Sequence, residues 1–263
     1  MLFRSWYFMP RMARKKSSSG IYHIMLRGIN KQDIFHDAAD RIKLIEILNY
    51  YRDICEYEVY GYCLMSNHIH ILIKEGKETI SQAIKRIGVN YAYWYNSKYA
   101  RCGHLFQDRF KSEAVEDDRY LLTVLRYIHQ NPVKAGIVAE AAKYRWSSYS
   151  EYVNQQGIVT NINFVLGILN PDTGKAVKIF EEFMTAENED NCLDVDDKMR
   201  KQLSDEDTRK LIKQLTKSDN VLILQQMDKN ERNITIKNLK EMGCSVRQLE
   251  RITGLGRRII EKA

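Results

Sequence analysis

The sequence predicts an α+β protein: a ferredoxin-like antiparallel sheet with packed helices, followed by a small all-α C-terminal module containing a helix-turn-helix. Three observations carry this. Over the first 150 residues, period-two and helical segments alternate in the order β-α-β-β-α-β-α, which suits an antiparallel sheet with helices against it. The last 55 residues are almost wholly helical in pattern. Charge divides the chain in the same places. Residues 1–150 carry 23 Lys and Arg against 15 Asp and Glu, residues 151–208 carry 5 against 13, and residues 209–263 carry 13 against 6. The expected organisation is a basic flexible leader at 1–16, the sheet domain at 17–152, a helical and acidic connector at 153–207, and a helical C-terminal domain at 208–263. Met9 or Met12 is an alternative start within the leader.

The elements follow in order. After Ser17-Ser18-Ser19-Gly20, the stretch from Ile21 to Ile29 alternates in part and reads as a strand. Asp37 opens a helix to about Cys55, with Ile42, Ile45 and Leu48 assigned to one face. Glu58 to Met65 and His68 to Lys74 are β-patterned runs separated by Ser66-Asn67, an expected hairpin. Thr79 to Tyr99 reads as helix and Leu105 to Val115 as another strand. Asp117-Asp118 caps a helix from Arg119 to Gln130, which Asn131-Pro132 is expected to close. Trp146 is read as a core anchor, and Val165 to Met184 gives a weaker helical signal. Ser245 to Ala263 reads helix, glycine turn, helix, with Arg257, Arg258 and Lys262 on or near the second helix.

Composition narrows the class. At 44% hydrophobic and 29% charged, the chain is an ordinary globular protein able to bury a core. The five cysteines are widely spaced and contain no C-x-x-C pair, so they read as reduced thiols of a cytoplasmic protein. No apolar run has the length of a membrane span, so no membrane partner is expected. The net charge of +7, concentrated at both ends, suits a polyanion such as nucleic acid; a solvated basic face is the alternative.

Chemistry concentrates in two motifs. His68-Ile69-His70 lies in a β-patterned run, so period two puts both imidazoles on one face and Ile69, Ile71 and Ile73 on the other. That spacing fits two ligands of one metal, or two structural histidines. Tyr127 and Asn131 stand four residues apart on a helix and share a face, while His129 points elsewhere. A tyrosine there is either a functional phenol or a core aromatic. Tyr91, Tyr93, Trp94, Tyr95 and Tyr99 crowd the preceding helix, where packing competes with base stacking.

Taken together, Gly61-Tyr-Cys-Leu-Met-Ser-Asn-His-Ile-His-Ile-Leu-Ile73, Leu105-Phe-Gln-Asp-Arg-Phe-Lys-Ser112 and Tyr127-Ile-His-Gln-Asn-Pro-Val-Lys-Ala-Gly136 resemble the REP-associated tyrosine transposases of the single-tyrosine HUH superfamily. The similarity spans roughly residues 12–152. It implies the HUH fold and a metal-dependent enzyme that nicks and rejoins single-stranded hairpin DNA through a 5′-phosphotyrosine. Under that resemblance Tyr127 is the nucleophile, and His68, His70 and Asn131 hold a divalent ion, Mg²⁺ or Mn²⁺, with zinc an alternative. A homodimer accords with the family's habit, though no residue decides it. Arg109, Lys111 and Lys134, with Arg257 and Arg258 of the terminal module, are candidate DNA contacts, each with an exposed-surface alternative. Two other classes stay open: a DNA- or RNA-binding regulator that keeps the fold without cleaving, and a metal-dependent hydrolase, for which neither motif offers a carboxylate base.

Overall fold

The computed structural model describes residues 14–190, 192–193, 205–218 and 220–263. Residues 1–13 of the expected leader and 194–204 of the expected acidic connector lie outside the described residues. The chain divides into two compact units, Met1–Asp194 and Val195–Ala263.

In the first unit, β1 (Ile21–Arg27), β2 (Glu58–Leu64), β3 (His68–Lys74) and β4 (Lys111–Val115) form one sheet in the order β2-β3-β1-β4. Every neighbouring pair is antiparallel. With α1 (Ala38–Cys55), α2 (Ile80–Lys98) and α3 (Asp118–Lys134), this is the ferredoxin-like plan. Period two then assigns the faces. Tyr22, Ile24 and Leu26, Tyr62 and Leu64, and Ile69, Ile71 and Ile73 face a core built with α1 and α2. Ile21, Cys63, Leu72 and Val115 face a second core under α3.

Local chemistry sets the helix ends. Asp37 caps α1 by accepting from the Asp40 N–H, and Asp40 returns the bond as a capping box. Asp117 caps α3 by accepting from the Tyr120 N–H. Gly61 lets α3 approach β2 closely, because a Cβ there would lie 2.3 Å from the buried Leu125 Cδ1.

Several sequence expectations are corrected. The buried stripe of α1 is Leu44, Ile47 and Leu48, while Ile42 is 47% exposed. Steps of three residues, as in 42-45-48, drift steadily around a helix of 3.6 residues per turn. The strand expected from Leu105 pairs only from Lys111 onward; before it, a single bridge joins Phe106 to Gly28. Asp108, at φ 53°, breaks the extended backbone between them. Helix α3 does not stop at Asn131-Pro132 but runs through Pro132 to Lys134. In the last turn proline forfeits one backbone bond, and its fixed φ is itself helical. Trp146 is half-buried against both cores, with the Arg145 and Arg41 guanidiniums 4.4 and 5.4 Å from its ring centroid.

Beyond residue 152 the first unit continues. Helices α4 (Tyr149–Val153), α5 (Ile162–Leu169) and α6 (Thr173–Thr185) bury Tyr149, Tyr152, Val165, Phe180 and Met184 in the core beneath α3. The Glu151 carboxylate fastens this segment by accepting from the Tyr62 hydroxyl at 2.9 Å and from the N–H groups of Ile158, Val159 and Thr160 at 2.9–3.2 Å. Arg126 pairs with Asp190 at 2.7 Å and Gln130 donates to the Met184 carbonyl at 2.7 Å, so the chain after α6 lies along α3.

The second unit is all helical: α7 (Asp205–Thr216), α8 (Ile223–Gln226), α9 (Lys229–Glu241), α10 (Val246–Thr253) and α11 (Arg257–Lys262). Ile212, Leu239, Leu249, Ile252 and Ile260 form its core. Ser245 caps α10, and Gly254 ends it at φ 68°, an αL position that suits glycine. No helix among the described residues is long and apolar enough to cross a membrane.

Candidate active site

The second face of the sheet carries the polar residues. His70 lies opposite Met25 of β1 and Cys63 of β2, and His23 lies opposite Leu72 of β3 and Glu113 of β4. Alternation therefore points His68, His70, His23 and Glu113 toward α3. Tyr127 and Asn131 come down on them from that helix.

Asn131 sits between the two strand imidazoles. Its Oδ1 is 3.4 Å from His68 Nε2 and its Nδ2 is 3.5 Å from His70 Nε2. The His68 tautomer follows from its other nitrogen. Asn67 gives its amide N–H to the Lys31 carbonyl at 3.2 Å, which turns Oδ1 toward His68 Nδ1 at 2.6 Å. An oxygen acceptor there demands a proton on Nδ1, so Nε2 carries the lone pair. Two lone-pair atoms, His68 Nε2 and Asn131 Oδ1, then face each other at 3.4 Å. Either a second proton on the His68 ring or a bound cation removes that opposition, and the separation suits neighbouring ligands of a small divalent ion. Two imidazoles and an amide are thus a fitting donor set. Among the described residues no group of three or more His, Cys, Asp or Glu side chains offers another metal cage.

His70 is fully buried, and its Nδ1 lies 3.0 Å from His23 Nε2. Burial, then repulsion from His23 and His68, hold its pKa well below the ordinary imidazole range, which keeps the ring neutral as a ligand must be. Burial also lowers His23, against an opposing pull from Glu113, whose Oε2 is 3.9 Å from His23 Nδ1. Hydrogen bonding toward His23 is the largest cause holding the Glu113 carboxyl below its usual range. Glu113 also accepts the Leu193 N–H at 3.0 Å.

The Tyr127 ring stands edge-on to His70 and His23, with centroids 5.8 and 5.9 Å away. It is 4% exposed and belongs to the second core, so the phenol is both beside the imidazoles and packed in. Lys134 Nζ lies 5.2 Å from the Tyr127 ring centroid and donates to the Asp190 carbonyl at 3.2 Å. His129, as its helical phase requires, points away and meets Ser148 Oγ at 2.8 Å.

The basic candidates disperse. Lys111 is exposed on the imidazole face of β4, opposite Met25. Arg109 lines a groove of about 470 Å³ with Leu26, Ile84, Phe106 and Phe110, on the other side of the sheet. Arg257 and Arg258 are exposed on α11 of the second unit, where Arg257 pairs with Glu261 at 2.8 Å. Of the crowded aromatics on α2, Tyr91 and Tyr95 are buried and Tyr93 is 79% exposed. Sequence reasoning missed His23, Glu113, Asn67 and Arg27. Arg27 opposes His68 across the β1–β3 pair, and its Nε is buried without a hydrogen-bond partner. The available signal was the alternation of Ile21, His23 and Met25, but only the pairing register shows that this face meets the H-x-H strand.

Residues 16–131 match the family model described as "Transposase IS200 like". A Haemophilus influenzae protein named as a REP-associated tyrosine transposase is 27% identical, over 42% of this chain and 71% of that protein. A solved structure of a REP-associated tyrosine transposase bound to a REP hairpin is similar at 17% identity and a TM-score of 0.49, over 59% of this chain and 90% of that one.

Proposed function

We propose that this chain, whose residues 16–131 match the IS200-like transposase family model, nicks and rejoins single-stranded hairpin DNA with Tyr127 as nucleophile. The supporting observation is the convergence of a phenol from α3 on an imidazole pair from β3, with Asn131 one helical turn beyond the phenol and between the imidazoles. A phenol with an ordinary pKa near 10 attacks poorly at neutral pH unless the phosphate is activated. When bound by His68, His70 and Asn131, Mg²⁺ or Mn²⁺ would supply that activation by drawing charge from the non-bridging oxygens.

The chain's own residues do the rest. Tyr127 Oη forms a bond to phosphorus, the bond to the 3′ oxygen breaks, the phenol proton passes to solvent, and the departing 3′ oxygen takes one up. The phosphodiester energy is kept in the 5′-phosphotyrosine, so the reverse step can join a new strand. Arg27, beside His68, and Lys111, on the same face, supply cations for the backbone phosphates. With its ring 4% exposed, Tyr127 has to leave its packing against His23 and His70 before it can react, a motion that DNA binding must drive. The H. influenzae relative's name directs attention to REP sequences as the first substrates to try.

That same burial favours a second reading, a nucleic-acid-binding regulator that does not cleave. Labelled hairpin DNA incubated with the purified protein and Mn²⁺ separates the two. A covalent adduct that disappears in Tyr127→Phe is expected, with His68→Ala losing the adduct but retaining hairpin binding. Tight binding without any adduct would establish the regulator, and an adduct that persists in Tyr127→Phe would exclude this nucleophile.

A further inference from the structure

We propose that His23 is a positioning residue: set between His70 and Glu113, it fixes the His70 tautomer so that the Nε2 lone pair is presented to the ion. The inference rests on the reading that His68 and His70 hold a divalent cation, and adds to it a residue on a different strand.

Two proton arrangements are open to the neutral His70–His23 pair at 3.0 Å. In the first, His70 Nδ1–H donates to His23 Nε2. His23 then carries its remaining proton on Nδ1, aimed at the Glu113 carboxylate 3.9 Å away, and His70 Nε2 keeps a lone pair facing the Asn131 amide N–H at 3.5 Å. Every contact joins a proton to a lone pair. In the second, His23 Nε2–H donates to His70 Nδ1. The His23 Nδ1 lone pair would then face a carboxylate, and the His70 Nε2 proton would face the Asn131 N–H. Both ends are repulsive.

Burial makes the difference large. His23 and His70 are both fully buried, and His23 Nδ1 has no hydrogen-bond partner nearer than that carboxylate contact. Both rings are therefore shut off from bulk solvent, which cannot satisfy the wrong tautomer. Glu113 is itself tethered by the Leu193 N–H, so the end of the relay is anchored. Metal-binding histidines are commonly oriented this way through their second ring nitrogen, and losing such a partner weakens metal binding about 10- to 100-fold.

The test uses the full chain, metal-free and ¹⁵N-histidine labelled, with ring tautomers read from two-bond ¹H–¹⁵N correlations. In the unsubstituted protein His70 is expected as the Nδ1–H tautomer. His23→Phe should give a mixed or inverted His70 tautomer and a 10- to 100-fold weaker Mn²⁺ affinity by EPR titration. His23→Gln, whose amide oxygen can accept from His70, should restore most of both. A His70 ring protonated on Nε2 in the unsubstituted protein overturns the proposal, as does a His23→Phe protein that binds Mn²⁺ as tightly as the original. Should His23→Phe fail to fold, Glu113→Ala, at a half-exposed position on the edge strand, carries the comparison. A weaker Mn²⁺ affinity there supports the relay and an unchanged one overturns it. Absence of Mn²⁺ binding by the unsubstituted protein would sink the metal reading alone, because the tautomer is measured without metal.

Discussion

Asp40 is fully buried and accepts from the His36 N–H at 2.6 Å, the Lys98 ammonium at 2.7 Å and the Tyr99 hydroxyl at 2.9 Å. Burial alone would raise its carboxyl, but these donors outweigh burial and hold it below the usual carboxylate range. A folded-state pKa below the unfolded value means stability that is present above the unfolded pKa, near 3.9, and lost as pH falls through the folded one. Asp40→Asn is expected to lower stability by about 1–3 kcal/mol at pH 7 and by less at pH 3, which lies below the unfolded pKa, so that unfolding there takes up a proton. Urea titrations at the two pH values check this, and equal deficits would reject it. Legibility at this scale depends on how local the information is. His68 and His70 were readable because they occupy one strand and obey one period. His23 and Glu113 were not, since their place beside His70 is set by a register between strands 47 and 43 residues apart in sequence from it.

Among the elements, the turn after β1 matters most to the candidate site. Gly28 gives its N–H to the Asn67 carbonyl at 2.9 Å, while Asn67 aligns His68. A Cβ at position 28 would fall 2.2 Å from the Gln32 carbonyl oxygen, so backbone has to move. Gly28→Ala is therefore expected to lose about 1–3 kcal/mol of stability and to weaken Mn²⁺ binding as Asn67 shifts. Denaturant unfolding alongside EPR titration tests it; unchanged metal affinity in a destabilised protein would detach the turn from the site. The four strands and first three helices could be read from periodicity and caps. What escaped were features decided by neighbours: the continuation of α3 through Pro132, the late start of β4, and the rotation of the α1 stripe away from Ile42. The packing of α5 and α6 under α3 is likewise a tertiary fact, invisible in a segment read as connector.

At the scale of the whole molecule, the second unit repeats the basic balance of the first while sharing none of the candidate site's residues. Its two terminal helices meet at Gly254, the turn that the sequence reading placed there, and Arg257 and Arg258 stand exposed on the last one. If this helix pair holds DNA, Arg257→Ala and Arg258→Ala should each lower the salt dependence of hairpin binding by about one unit of slope, with adduct formation on bound DNA unchanged. Filter binding across a salt series measures this. Slopes identical to the original would remove α11 from the DNA contact.

The placement of α3 over the imidazole face has a consequence for the protein's birth. The strands bearing His23, His68 and His70 leave the ribosome well before the helix bearing Tyr127 and Asn131, and Phe180 and Met184, which pack beneath that helix, come later still. A chain interrupted during translation between residues 70 and 126 holds the imidazoles without the phenol. Under the proposed function, cutting competence therefore arrives late in synthesis.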